Sequence, residues 1–544
     1  MSYSPAFKKL LAKRGLTDPS AIEEFLSSDL SSLHDPFLMK NMREVKTRLE
    51  EALTKKQKIL LHGDYDADGI TGVAVMVKVL EKRGGDFITF LPERDRHGYG
   101  VSEEAILKAH QAGAGLVITV DCGITAIEEI RLARRLGMDV IVIDHHRLPA
   151  GGLPDTDLIL NPLQEDCRYP FKELSAAGLA FKLAQVMIGE DASSLLDLVA
   201  ISTISDIAPL VGENRILVKS GLAELSSRKN LGIKCLGEVA KLKSPKIDTG
   251  HVGFILGPRI NAAGRMGSPD AALRLLLTGS GREAVSLANI LNEENKERQQ
   301  REKEITKEAI AKVERTVNFN RERIIVVEGK DWHQGVIGIV ASRLVERYYR
   351  PAIVIAVTEG VSKGSGRSIK GFHLFNAIRS CSEVLEEFGG HEQAAGLSVK
   401  EKNVKLFREK INEYARDNLD PALMIKKIPL DLEIGLGDLT GIFVRELEQM
   451  EPFGMGNPRP VFLTRGLKAK GKPRKLYGET YETVMTDGSS SYPVFINEKQ
   501  MYRCEISRSD TRFDIAYTVR TKVWNGIETL SLDAKEMKES AVGD

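Results

Sequence analysis

Cysteine is scarce: five residues, Cys122, Cys167, Cys235, Cys381 and Cys504, are scattered through 544, with no CxxC pair. An odd, dispersed set excludes a disulfide framework, a thiolate zinc site and a redox dithiol, and it fits a reducing cytoplasm. Net charge is nearly absent too, with 77 basic side chains against 76 acidic ones. Any polyanion-binding surface must therefore come from local patches. No apolar run nears the length of a membrane-spanning helix, and Met1-Ser2-Tyr3-Ser4-Pro5 carries no signal-peptide pattern. Low-complexity tracts and internal repeats are missing as well. What remains, 42% hydrophobic and 28% charged, is the composition of a soluble globular protein too long for one core.

The most informative segment is His62-Gly63-Asp64-Tyr65-Asp66-Ala67-Asp68-Gly69, which sets three carboxylates and an imidazole within seven positions behind the apolar run Ile59-Leu60-Leu61. Ionised groups this dense repel one another and resist desolvation, so a cation between them is their natural partner. The same grammar recurs downstream. Leu116 to Val120 ends in Asp121-Cys122-Gly123, and Val140 to Ile143 ends in Asp144-His145-His146. A fourth acid, Asp206, closes the apolar segment Leu195 to Ile204 before Pro209 forces a turn. Alone, each acid reads as a helix cap or turn residue. As a set they read as a metal site. Carboxylates with one or two imidazoles suit manganese or magnesium better than zinc or copper, and a pair of such cations serves phosphoester hydrolysis.

Alternating strand and helix signals from about residue 58 to 190 predict a doubly wound parallel sheet, with ligands collecting outside the carboxyl ends of the strands. The whole chain reads as a multidomain α/β protein. Residues 1–55 form a helical accessory segment, 56–280 the catalytic domain, 281–317 a long exposed linking helix, 318–425 a second, smaller α/β domain, and 426–544 an OB-like β-barrel.

Other motifs carry less. His391-Glu392 begins like a zincin HExxH, but Ala395 stands where the second histidine belongs. Lys363-Gly364-Ser365-Gly366-Arg367-Ser368 lacks the Walker spacing and reads as a glycine turn presenting Arg367. Pro258 to Arg265 offers two guanidiniums, Arg259 and Arg265, and the Asn261 amide for gripping phosphate oxygens, against the alternative of surface arginines on a loop. Arg465, Lys468, Lys470, Lys472, Arg474 and Lys475 fall within eleven residues without an acid, flanked by Phe462, Tyr477 and Tyr481. On a barrel this patch matches single-strand binding by charge neutralisation and base stacking, and its alternative is a solvated hairpin.

In order and spacing, the acid-rich segments resemble the four motifs of the DHH phosphoesterase superfamily, and Gly389-Gly390-His391 resembles the GGH signature of its associated second domain. Through Arg14-Gly15-Leu16, Pro258 to Arg265, Gly364 to Arg367 and Pro452-Phe453-Gly454-Met455-Gly456-Asn457-Pro458, the resemblance narrows to the RecJ family of single-strand-specific 5′-to-3′ DNA exonucleases and covers nearly the whole chain. It implies Asp66, Asp68, Asp121, His145 and Asp206 as ligands of two divalent cations, manganese or magnesium, with Asp121 bridging. His62 is implied as a further ligand, with Asp64 replacing or supporting it. His146 then faces the scissile phosphate, and Asn261 and Arg265 hold backbone phosphates. Arg94, Ser365 and Arg367 are implied as the pocket for a 5′-terminal phosphate, with Gly389, Gly390 and His391 lining the cleft.

The resemblance thus implies a cytoplasmic exonuclease that releases mononucleotides from the 5′ end of single-stranded DNA in recombination and repair. Expected partners are single-stranded DNA, a single-strand binding protein and a repair helicase; no membrane is involved and the default state is a monomer. Two rivals stand beside it: a DHH phosphodiesterase of short oligonucleotides or cyclic dinucleotides, and a non-catalytic DNA-binding scaffold.

Overall fold

Five parallel strands build the first sheet: β1 (Lys58–Gly63), β2 (Asp86–Phe90), β3 (Ala114–Val120), β4 (Asp139–Ile143) and β5 (Ile159–Leu160), in the order β2-β1-β3-β4-β5. The computed structural model describes residues 3–27, 29–93, 98, 100–149, 151–503, 511–524 and 527–540. Successive strand residues enter opposite cores: Ile59, Leu61, Ile118 and Ile143 on one face, Leu60, Val117, Val140 and Val142 on the other. Helices cover both faces, which is why these strands read as continuous apolar runs. Strand order reverses between β1 and β3, and a crevice at such a switch point receives ligands at the strands' carboxyl ends. The doubly wound architecture expected from the sequence is present.

β1 feeds the helix Ala67–Arg83, buried through most of its length. Asp66 caps it, accepting hydrogen bonds from Asp68 N (2.9 Å) and Gly69 N (3.2 Å). Gly69 is required there, since a Cβ would lie 2.6 Å from the Asp64 backbone.

The helix Gly281–Thr316 has 36 residues and spans about 54 Å at 1.5 Å per residue. Leu287, Ala288 and Leu291 pack into the first core, and Ile305, Ala309 and Val313 into the second domain, so one rigid rod bridges both. The second sheet contains β6 (Ile325–Lys330), β7 (Ala352–Val357), β8 (Val361–Arg367), β9 (Glu387–Gly390) and β10 (Ala394–Lys400), ordered β6-β7-β8-β10-β9. The stretch around Gly364 is thus strand β8 rather than the expected turn. Gly364 and Gly366 point inward, where a Cβ would meet Leu397 and Leu374 at 2.8 Å each. The two-residue period leaves Ser365 and Arg367 together on the opposite face.

The last sheet comprises β11 (Leu432–Glu433), β12 (Phe462–Tyr477), β13 (Thr480–Thr486), β14 (Ser491–Asn497), β15 (Arg512–Trp524) and β16 (Ile527–Glu539), and the pairing of β12 with β15 closes it into a barrel. The N-terminal segment divides between two cores. Phe7, Leu10, Leu11 and Leu26 join the barrel's core, whereas Met42, Val45 and Leu49 join the first sheet's. Arg14 fixes the first attachment through Asp431, Asn457 and the Pro458 carbonyl. Among the described residues, no helix is long and apolar enough to cross a membrane.

Candidate metal centre and the facing cleft

The acid-tipped segments converge. His145 Nε2 lies 3.3 Å from Asp121 Oδ1, 3.7 Å from Asp68 Oδ2 and 3.9 Å from Asp206 Oδ2, bringing together residues that follow β1, β3 and β4 and the end of the helix Leu196–Ser205. Three ligand sets with donor atoms within 4.8 Å of one another result: Asp64, Asp66 and Asp121; Asp68, His145 and Asp206; and Asp121, His145 and His146. Asp121 and His145 each belong to two of them, so the sets form one continuous site. Asp121 reaches it from a left-handed backbone (φ +63°), a conformation that aspartate tolerates better than most residues. No hydrogen bond reaches its buried Oδ1 among the described residues. A buried carboxylate oxygen without a donor is a position that a cation satisfies.

Asp68 is held differently. Its Oδ2 accepts from Ala176 N (2.8 Å), and its Oδ1 from Ala177 N (2.9 Å) and Ser202 Oγ (2.6 Å), so the N-terminus of the helix Ala176–Ile188 faces a carboxylate. Asp144 is a supporting residue: its Oδ1 accepts from His146 N (3.0 Å) and pairs with His146 Nδ1 (2.8 Å), while Oδ2 accepts from Ile124 N (2.9 Å). Burial disfavours the imidazolium, yet the Asp144 hydrogen bond and charge outweigh it and raise His146 to about 9. Burial first, and then neighbouring carboxylates, push up Asp66, Asp121 and Asp206, the last to about 8. Such crowding is the electrostatic signature of a cation site.

His62 is not brought into these sets. Its Nε2 accepts from Ser102 N at 3.0 Å and its Nδ1 faces Cys122 Sγ at 3.7 Å, so both ring nitrogens are engaged, whereas Asp64 belongs to one of the three candidate sets. Burial and nearby acids raise the Cys122 thiol well above its ordinary range, consistent with packing rather than nucleophilic attack.

Across the cleft, Arg265 Nη1 donates to Gly335 O at 3.0 Å, where the second domain's helix Gln334–Tyr348 begins. Arg367 Nη1 donates to Ser365 Oγ at 3.3 Å, and Gly338 on that helix approaches both, since a Cβ there would lie 3.0 Å from Ser365 Oγ and 3.1 Å from Arg367 Nη2. His391 follows β9, behind Gly389 and Gly390, and donates its N–H to Ala394 O at 2.8 Å. Burial, then the positive charges of Arg147 and His146, lower its basicity. Asn261 accepts a hydrogen bond from Ala67 N at 2.8 Å, beside the first acid motif. Arg259 departs from the expected phosphate grip: its Nε bonds Asn292 Oδ1 and its Nη1 bonds Ile255 O, directing the guanidinium to the long helix. Arg94 lies outside the described residues.

Comparison with known proteins matches three family models: the DHH family N-terminal domain over residues 58–203, the DHHA1 domain over 321–417 and the RecJ OB domain over 430–536. The single-stranded-DNA-specific exonuclease RecJ of Escherichia coli is 33% identical, over 98% of this chain and 92% of that protein. The chain belongs to the RecJ family. The RecJ protein of Bacillus subtilis is 42% identical over 85% of this chain, in an alignment that spans 59% of that protein's length. The RecJ structure from Thermus thermophilus in complex with Mn2+ superposes with a TM-score of 0.83 at 30% identity, covering 100% of this chain and 79% of that one.

The basic patch of this RecJ-family barrel lies along β12, and its free-looking sequence is partly neutralised in space. Arg465 pairs with Glu433 (2.9 Å) and Asp514 (3.3 Å), and Arg474 with Glu482 (2.7 Å). Lys470, Lys472 and Lys475 are exposed and Lys468 is half-buried, with Lys475 Nζ 5.5 Å from the centre of the Tyr481 ring. Asp144, counted from sequence among the acids of the metal set, lies outside these candidate sets and supports His146 instead, and Ser202 had no role assigned from sequence. The small-residue run Ser175-Ala176-Ala177-Gly178 was the available signal that a helix start closes on a charged group.

Proposed function

We propose that this chain hydrolyses single-stranded DNA from its 5′ end, releasing mononucleotides with the aid of two divalent cations, manganese or magnesium. The observation that carries the reading is the continuous set Asp64, Asp66, Asp68, Asp121, His145 and Asp206. The carboxylates and His145 hold the cations, which when bound neutralise charge at phosphorus and lower the pKa of water. His146, fixed by Asp144, offers an imidazolium to the developing negative charge. Asn261 and Arg265 position the backbone, and Ser365 with Arg367 receives the terminal phosphate.

Water adds to phosphorus, the P–O3′ bond breaks, and O3′ takes a proton. The released nucleotide keeps its 5′-phosphate, and the shortened strand begins again with one. Each turnover therefore regenerates the feature that the pocket recognises. The role is DNA recombination and repair in the cytoplasm, as a monomer, alongside a single-strand binding protein and a helicase.

A 3′-labelled, 5′-phosphorylated single strand of about 40 nucleotides, long enough to reach from cleft to barrel, tests this. Metal-dependent shortening with the label retained, no action on the matched duplex, and loss of activity in Asp121→Ala are expected. Cleavage of dinucleotides alone indicates the small-substrate phosphodiesterase instead; binding without cleavage indicates the scaffold.

A further inference from the structure

A groove of about 640 Å³ lies outside the metal centre, between the π-helical turn Val252–Leu256, the long helix Gly281–Thr316 and the helix Gln334–Tyr348. Phe254 stands on its rim, 83% exposed. The core does not need this ring: its neighbours Val252 and Leu256 are the residues of the turn that are buried. π-Helical turns of this kind are frequent at functional sites.

The groove floor is cationic. Arg298 and Arg343 share the Glu302 carboxylate at 2.8 and 3.0 Å, and Arg343 also pairs with Glu346 at 3.1 Å, so both guanidiniums are fixed and balanced, and the surplus positive charge of the lining comes from its lysines. Lys303 and Lys307 also line it, and neither forms an ion pair among the described residues. Four positions apart on one helix, they sit one above the other on the same face. Thr306 Oγ1 lines the same wall, buried and without a hydrogen-bond partner among the described residues.

The turn that rims the groove is joined along the chain to residues of the candidate metal centre. Gly257, at the end of the π-helical turn, packs against Ser205, where an added Cβ would lie 2.4 Å from Oγ, and Asp206 is the next residue. On the other side Pro258 opens the helix that carries Asn261 and Arg265. An exposed aromatic ring beside lysines unpaired among the described residues, on the turn that leads into the helix carrying Asn261 and Arg265, suits a polyanion bearing flat bases.

We propose that this groove holds the substrate strand away from the scissile bond, with one base stacked on Phe254 and the backbone phosphates against Lys303 and Lys307. The assignment rests on the exonuclease reading and adds a site that a very short substrate cannot reach. Its consequence is retention of long strands between successive cleavages.

Photocross-linking tests it. Strands of about 20 nucleotides, 5′-phosphorylated and carrying 5-iodouracil at one position each, are bound to the Asp121→Ala protein with Mn2+, a length chosen to exceed the cleft. Cross-linking of the peptide containing Phe254 from one narrow window of positions is expected. Phe254→Ala should weaken binding of these strands roughly 5- to 150-fold, the worth of one stacked base. Lys303→Glu combined with Lys307→Glu should reduce the slope of log affinity against log salt by about 1.4, at 0.7 per phosphate contact in a single strand. Unchanged melting temperatures exclude misfolding of the variants, and the cross-link stands independently of them. If bound strands label other peptides but never this one, the groove assignment is overturned while the exonuclease reading survives. If wild-type protein with Mn2+ neither binds nor cuts single strands, the reading itself fails.

Discussion

Asn261 Oδ1 accepts a hydrogen bond from Ala67 N at 2.8 Å, across 194 positions of chain. The bond clamps the loop of Asp64 and Asp66 against the helix Gly257–Met266, and Gly264 permits the approach because a Cβ there would lie 2.1 Å from Tyr65 O. Asn261→Asp keeps an acceptor for Ala67 but loses the amide donor and adds charge beside the carboxylates. Its stability in urea should match wild type while exonuclease activity collapses. Asn261→Leu strands a buried N–H and should cost about 1–3 kcal/mol as well. Full activity in Asn261→Asp would remove Asn261 from phosphate binding and leave it a clamp.

Ser202 should act through Asp68. It supplies the shortest of three hydrogen bonds to that carboxylate, and the other two come from backbone that a side-chain substitution cannot remove. Ser202→Ala should therefore weaken Mn2+ affinity by roughly 10- to 100-fold, the usual effect of losing an outer-shell partner. Saturating metal should restore most of the rate. A variant that stays inactive at saturation would indicate that Ser202 shapes the site by some route other than metal affinity.

The parts of this protein that were legible in its sequence are the local ones. Strand runs ending in Asp64, Asp121 and Asp144 could be read because apolar burial and the acid that follows lie within a few residues of each other. Asp66, Asp68, Asp121, His145 and Asp206, which the motif resemblance implies as metal ligands, are brought together by the structure. His62 was not separable from Asp64, since its partners Ser102 and Cys122 arrive from distant segments. The basic run on β12 looked unopposed because Glu433, Glu482 and Asp514 belong to neighbouring strands. Docking of the first helix, Pro5–Lys13, through the contact of its cap Ser4 with Glu446 on the helix Gly441–Gln449, links positions 442 apart and has no local signature.

Lys182 and Glu213 form a buried ion pair with side-chain exposures of 0% and 1%, and Glu213 also accepts from Tyr169 Oη (2.6 Å) and His34 N (2.9 Å). The pair ties the segment preceding the helix Met42–Thr54 to the catalytic domain. Removing one partner leaves a desolvated charge, so Lys182→Met should destabilise by about 3–5 kcal/mol. Adding Glu213→Gln should recover part of that loss. Urea unfolding of the single and double variants measures it; equal stabilities for the two would show that the charge on Glu213 is not what makes Lys182→Met costly.

Metal binding should be coupled to proton release. Burial and mutual repulsion hold Asp66, Asp121 and Asp206 above their ordinary range in the metal-free protein, Asp206 at about 8. An acid whose pKa is raised by folding contributes stability that is complete below its unfolded value, near 3.8 for aspartate, and is lost as pH rises through the folded value. The metal-free protein should therefore lose thermal stability as pH rises from about 4 towards about 8 on account of Asp206, with Asp66 and Asp121 acting in the same direction. Cations require the ionised carboxylates, so their affinity should rise with pH across that window and level off above it. Calorimetric titration with Mg2+ near pH 6.5, repeated in buffers of different ionisation enthalpy, counts the protons released, with at least a fraction of one per chain expected. Replacing Asp206 with Asn should reduce that count along with the affinity. A count of zero at this pH, with Mg2+ bound, would mean that the carboxylates are already ionised before the metal arrives.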